Sequence, residues 1–186
     1  MSLFSIEIPA NYKGITLESF VAYKSATNDI ERLMAIASIT EEQAKEIPLN
    51  EVNDILALFE EILKEEIADF NQTFFIGTTE YGFIPNLNKI SVAEYLDITT
   101  FCKDLQNNAI KLMAVLYRPI TKKVGYKYLI EPYNSKEREL YEEDIKTCNL
   151  AQLNGALLFF SSLANDLTNS SLEYLEMEVS KLMTKN

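Results

Sequence analysis

The sequence predicts an α+β fold, mainly α: a helical lobe followed by a small antiparallel sheet with packed helices. Three observations carry this. Apolar residues recur at helical spacing through most of the chain, while a few short segments switch to a strand-like pattern. Only five Gly and five Pro interrupt the 186 residues, which favours helices with short connections. The expected organisation is an extended N-terminal arm over 1–14, a helical lobe over 15–70 and an α+β lobe over 71–186, together one compact unit.

Taken in order, Thr16 reads as an N-cap, and Leu17, Phe20 and Val21 start a helical face. Ile30, Leu33, Met34 and Ala37 repeat at i, i+3, i+4, i+7 in the next helix. Thr40 and Gln43 are spaced as a capping box, opening a short helix that stops before Pro48. Val52, Ile55, Leu56, Phe59, Ile62 and Leu63 form one stripe of a helix over 51–67, with Glu51, Asp54, Glu60, Glu61, Lys64 and Glu65 on the solvated side. Residues 68–73 mark the junction where helical pattern gives way to hairpin pattern. Thr73–Gly77 and Tyr81–Ile84 flank a polar turn and predict a hairpin over 73–84.

Ser91 and Glu94 form a second capping box for a helix running to about Leu105. Ile110, Met113, Ala114 and Tyr117 mark another, closed by Arg118-Pro119. A turn over Lys122–Gly125 leads to a strand carrying Tyr126, Tyr128 and Ile130. Ser135 is expected to cap a helix over 136–146. Leu150, Leu153, Ala156, Leu157, Phe160, Leu163 and Ala164 predict a nearly uncharged helix, and Leu172, Leu175, Val179, Leu182 and Met183 a last one. The expected core includes Leu56, Phe59, Met113, Leu116, Leu157 and Phe160.

Composition narrows the function classes. With 47% apolar and 24% charged residues, the chain is too apolar to be disordered. Its net charge of −11, with basic residues scattered, argues against a nucleic-acid partner. Solubility is the commoner reason for such acidity, and a basic partner the alternative. Glu7 and Pro9 fall too early for a secretory leader, and the uncharged stretch 147–165 holds too many Asn, Gln and Ser for a membrane span. Two isolated cysteines, Cys102 and Cys148, fit a reducing cytosolic compartment.

The sequence contains no His, so His-dependent nucleophilic triads and His-ligated zinc are excluded. No phosphate-binding glycine loop and no calcium loop is present. The Glu-Glu pairs point apart on a helix, and Glu61 and Glu65 at i, i+4 lie on a face assigned to solvent. Catalytic, metal and cofactor sites are therefore expected to be absent, and the function is expected to be protein binding.

Two features are candidates for it. The arm carries Phe4, Ile6 and Ile8 on one side of an extended chain, either tucked into its own core or added as an edge strand to a neighbour. The hairpin offers Phe75, Tyr81 and Phe83, and pairing through arm and hairpin, not through the helix 51–67, is the expected route to a homo-oligomer or a partner. Tyr126, Tyr128 and Tyr133 read either as a strand face packed on the last helices or as a protein-binding patch.

The runs Tyr81-Gly-Phe-Ile-Pro-Asn-Leu87, Ile90-Ser-Val-Ala-Glu-Tyr-Leu-Asp97, Leu112-Met-Ala-Val-Leu-Tyr-Arg-Pro-Ile120 and Tyr128-Leu-Ile-Glu-Pro-Tyr133 resemble small morphogenesis proteins of tailed bacteriophages, including crAss-like and marine phages. Ile15–Phe20, leading to Ile47-Pro-Leu49 and a long amphipathic helix, is similar in layout to tail-assembly chaperones. The resemblance covers about residues 15–165 and names no catalytic residues. It implies a virion-assembly protein acting in the host cytoplasm or carried in the virion. Its partners would be other phage proteins (tape measure, tail, neck or portal), either chaperoned or joined as a structural subunit.

Overall fold

A computed structural model describes residues 5–65 and 67–159. Its elements are α1 (Leu17–Ser25), α2 (Asp29–Ala37), α3 (Glu41–Glu46), α4 (Leu49–Leu63), β1 (Thr73–Ile76), β2 (Thr79–Phe83), α5 (Val92–Phe101), α6 (Leu105–Leu116), β3 (Tyr117–Val124), β4 (Lys127–Ile130) and α7 (Arg138–Ile145). A further helix occupies 150–159. The fold is α+β, mainly α. Phe4, Phe160 and the helix expected around 172–183 lie outside the described residues.

Local chemistry starts most of the helices where the spacing predicts. Thr16 and Asn28 accept N-cap bonds from Ser19 and Glu31. Both capping boxes form, Thr40 with Gln43 and Ser91 with Glu94, each meeting two of the orphan donors at a helix start. The α4 stripe buries Val52, Leu56, Phe59 and Ile62. In α2 the buried residues are Leu33, Ile36 and Ala37, whereas Met34 is exposed. The expected Ser135 cap is absent: residues 135–137 turn, and α7 begins at Arg138 without a side-chain cap.

The centre of the molecule is α6, whose Ala109, Leu112, Met113, Ala114, Val115 and Leu116 are all buried. It packs on α1, α5 and α7. Leu56, Phe59, Met113 and Leu116 belong to this core, and Leu157 is half-buried against it. Tyr117, expected to finish this helix, instead begins β3. Pro119 disfavours the α region at Arg118, the residue before it, so the helix cannot run on; the chain extends from Tyr117 onward. The expected turn at Lys122–Gly125 is likewise strand as far as Val124, and Gly125 turns the chain at a φ of 60°.

The sheet is antiparallel throughout, in the order β1-β2-β3-β4. β3 pairs with β2 at Tyr117–Pro119 and then with β4 from Ile120, with an irregularity between Ile120 and Lys122. Pro119 has no N–H to give a ladder, and it stands where β3 passes from one neighbour to the other.

The connection over 67–72 is held on several sides. Asp69 N–H donates to Ala151 O at 2.9 Å, Phe83 N–H to Gln72 O at 2.8 Å, and the Tyr117 hydroxyl to Asn71 O at 2.8 Å. Gly155 sits so close that an added Cβ would lie 2.4 Å from the Phe70 nitrogen. The start of the chain is tied down too: Leu17 N–H donates to Cys148 O and Leu150 N–H to Ile15 O, both at 2.8 Å.

Candidate functional site

Two adjoining features stand out on the outer side of the sheet: a cleft around a buried ion pair, and the uncovered face of the helix that supplies half of that pair. Their positions follow from strand alternation. Tyr81, Phe83, Tyr117 and Pro119 share one face by register, with Phe74 beside Tyr81; this inner face packs into the helical core. Gly82 and Arg118 pair opposite each other on the other face.

Arg118 Nη2 donates to Glu94 Oε1 at 2.6 Å, and both side chains are almost wholly buried, at 4% and 8% exposure. Glu94 is also the third residue of α5, where its other oxygen accepts the Ser91 N–H at 2.7 Å. Burial pushes the Glu94 carboxyl up, but the bonds from Ser91 and Arg118 outweigh this and hold it below the usual carboxylate range. The Tyr133 ring lies over the guanidinium, 5.4 Å from its centroid. The Tyr133 hydroxyl donates to Asp97, which also pairs with Arg138 at 3.2 Å. Burial and that carboxylate push the Tyr133 hydroxyl up to about 12.

Beside this pair is a cleft of about 620 Å³ between β4, the segment 84–90 and the start of α5. Tyr128 forms part of its floor, with its ring across Gly82 and its hydroxyl donating to Phe83 O at 2.8 Å. A Cβ on Gly82 would come 2.5 Å from that ring, so any side chain here would displace it.

The helix α5 is apolar on two sides. Ile98 and Phe101 are buried with Glu94, while Val92, Tyr95 and Leu96 are 75%, 57% and 55% exposed. Spaced i, i+3, i+4, these three share one face. An apolar face standing open on a helix is the usual mark of an interaction surface. Among the described residues, no group of three or more Cys, Asp or Glu side chains is placed to hold a metal. No described helix is long and apolar enough to cross a membrane.

The residues singled out from the sequence fall elsewhere. Tyr81 and Phe83 are buried in the core, because alternation turns them inward; they are structural, not part of an accessible surface. Phe75, on the opposite face of its strand, is 67% exposed and remains available. Ile6 and Ile8 lie half-buried against the chain's own core, so the arm takes the tucked arrangement and not that of a free edge strand. Phe4 lies outside the described residues. The tyrosines Tyr126, Tyr128 and Tyr133 all border the cleft, Tyr126 fully exposed, while Tyr117, near them in sequence, is buried on the other face.

Sequence spacing places Glu94 in a capping box and Arg118 at the close of a helix, and does not pair them. A charged residue inside Leu112–Ile120, an otherwise apolar run, was the available signal, since a buried cation needs a partner. The second apolar face of α5 was equally readable from the spacing. No family model, no curated protein and no solved structure matches the chain.

Proposed function

We propose that this chain is a non-enzymatic assembly protein of a tailed bacteriophage, acting in the host cytoplasm as a chaperone-like binder of a tail or tape-measure protein. The observation that carries the binding role is the open face of α5, with Val92, Tyr95 and Leu96 at the surface. Such a face suits the helix-in-groove mode, in which an amphipathic partner lays its apolar stripe against another. A net charge of −11 favours a partner segment with a basic polar face and speeds its encounter. The phage assignment rests on the resemblance of the four sequence runs between Tyr81 and Tyr133.

Two measurements test this. Mass spectrometry of purified virions should find the protein absent; stoichiometric copies would make it a structural subunit of head, neck or tail. Co-expression with the tail and tape-measure proteins should yield a complex that is lost when Val92, Tyr95 and Leu96 are all replaced by Ser. A complex that survives the triple substitution rejects α5 as its binding surface.

A further inference from the structure

We propose that the cleft beside β4 is a binding site for a carboxylate carried on an apolar body, with Arg118 as its anchor. The inference is independent of the α5 docking face. It starts from unmet donors. Nη2 of Arg118 is engaged by Glu94, but Nε and Nη1, which hold more than half of the donors of a guanidinium, are buried without a hydrogen-bond acceptor among the described residues. The Tyr133 ring offers them a π face, not an oxygen. Buried donors are nearly always met, and a planar carboxylate is the group that guanidinium geometry fits best.

The charges around the cleft point the same way. Three cationic side chains, Lys89, Arg118 and Lys127, stand against two acids, Glu94 and Glu131. Both acids are already engaged: Glu94 by Ser91 and Arg118, Glu131 by the Tyr141 hydroxyl. Lys89 and Lys127 form no ion pair among the described residues. The cleft is therefore a locally positive spot on a chain of net charge −11, where a single negative charge is favoured and a multiply charged phosphate is opposed by the remainder of the molecule.

Ile84, Ile90 and Leu129 supply apolar walls, and about 620 Å³ is within the range of small-ligand pockets. Entry needs the Tyr133 ring to swing aside. Residues 132–134 lie outside any helix or strand, between Glu131, whose N–H donates to Pro119 O at 2.9 Å, and the turn over 135–137. When the Tyr133–Asp97 bond breaks, Asp97 keeps its pairing with Arg138, so the movement leaves no buried carboxylate alone.

The carboxylate has two natural sources, a free organic acid and the C-terminus of a protein chain, and the test separates them. The full chain is titrated with 3-phenylpropionate and with an acetylated short peptide ending in Leu, each beside its primary amide. The readouts are calorimetry and the arginine Nε–H signals in nitrogen–proton spectra. The chain has only three arginines, Arg32, Arg118 and Arg138, so the Arg118 signal can be assigned by substitution.

The expected result is at least about tenfold tighter binding of acid than of amide, with the Arg118 Nε–H signal shifting on titration. Arg118→Lys, which keeps a cation for Glu94 but loses the Nε donor, should abolish the preference. Lys89→Gln with Lys127→Gln, both at exposed positions, should weaken acid binding several-fold in a folded protein. Preference for the peptide alone identifies a chain terminus, and for phenylpropionate alone a small acid. Equal affinity for acid and amide, no binding at millimolar concentration, or binding that leaves the Arg118 signal unmoved overturns the proposal.

Discussion

The two faces of the sheet are built from different materials. On the inner face Phe74 lies 4.8 Å from Tyr117, and Phe83 meets Tyr117 edge-on at 5.1 Å. Phe74 also stacks on Tyr81. These rings gain from burial and from their mutual geometry. The outer face has a glycine, a buried ion pair, a pair between exposed Lys123 and half-buried Glu80, and Tyr128, whose hydroxyl, like that of inner Tyr117, donates to the main chain. Ring packing is insensitive to pH, and the two inner hydroxyls are met, Tyr81 by Asp144 and Tyr117 by Asn71 O, so no buried side-chain donor is left over there among the described residues. The outer face has both a titratable pair and unmet donors, so stability should reside mainly on the inner face and recognition on the outer.

The largest effect is expected inside. Phe83→Ala removes a ring that also meets Phe70 and Phe159 and should cost about 3–5 kcal/mol, read by chemical denaturation. A loss below about 1 kcal/mol would mean that the inner face does not dominate.

Arg118→Met should cost roughly 3 kcal/mol, mostly because it strands Glu94 in a buried site. Adding Glu94→Gln should recover most of that, which no inner-face double substitution would do. The wild-type pair also carries a pH signature. The Glu94 carboxyl is held below its usual range in the fold, so its contribution is complete above the unfolded value of about 4.3 and disappears as pH falls through the lower folded value. Acid unfolding of the double variant should therefore lack this component. An unchanged acid profile would show that the pair does not govern it.

Gly82→Ala separates the faces within one strand. Its Cβ would enter the space of the Tyr128 ring, forcing that ring off its two carbonyl partners at a cost of about 1–3 kcal/mol. The inner neighbours Tyr81 and Phe83 should keep their packing, measurable as unchanged ring-proton shifts. If those shifts move as much as the Tyr128 signals, the faces are mechanically coupled and the division fails.

The same division explains what could be read from the sequence. Capping boxes and the α4 stripe are local, set by residues three or four apart, and both formed as spaced. The inner face is visible in the sequence as rings in the hairpin, but alternation tells which residues share a side, not which side meets the core, so Tyr81 and Phe83 read equally as a surface. The start of β3 is not legible locally because Tyr117 continues the apolar spacing of α6, while its strand partner Phe83 lies far back in the chain. The Arg118–Glu94 contact links residues 24 positions apart, and Glu94 already had a local role in its capping box. Tyr12 and the half-buried Ile6 and Ile8 became core for the same non-local reason, since helix 150–159 and the turn before it hold the chain's beginning in place.

The smallest effect on stability should come from the exposed face of α5. Val92, Tyr95 and Leu96 stand 55–75% open, so replacing each by Ser removes little buried area and should change stability by about 0.5 kcal/mol or less per site. Serine is a poorer helix former than leucine by only a few tenths of a kcal/mol, and the Ser91–Glu94 capping box is untouched. A protein with no use for this face would be indifferent to the triple change, or would gain solubility from it. If the face binds a partner helix, the same change should reduce that affinity at least about tenfold, because central apolar anchors dominate such interfaces. Thermal unfolding and partner titration on one preparation distinguish the cases. A large stability loss would show that these residues are packed in the free protein, and unaltered binding would move the docking surface elsewhere, with exposed Phe75 on the sheet as the next residue to replace.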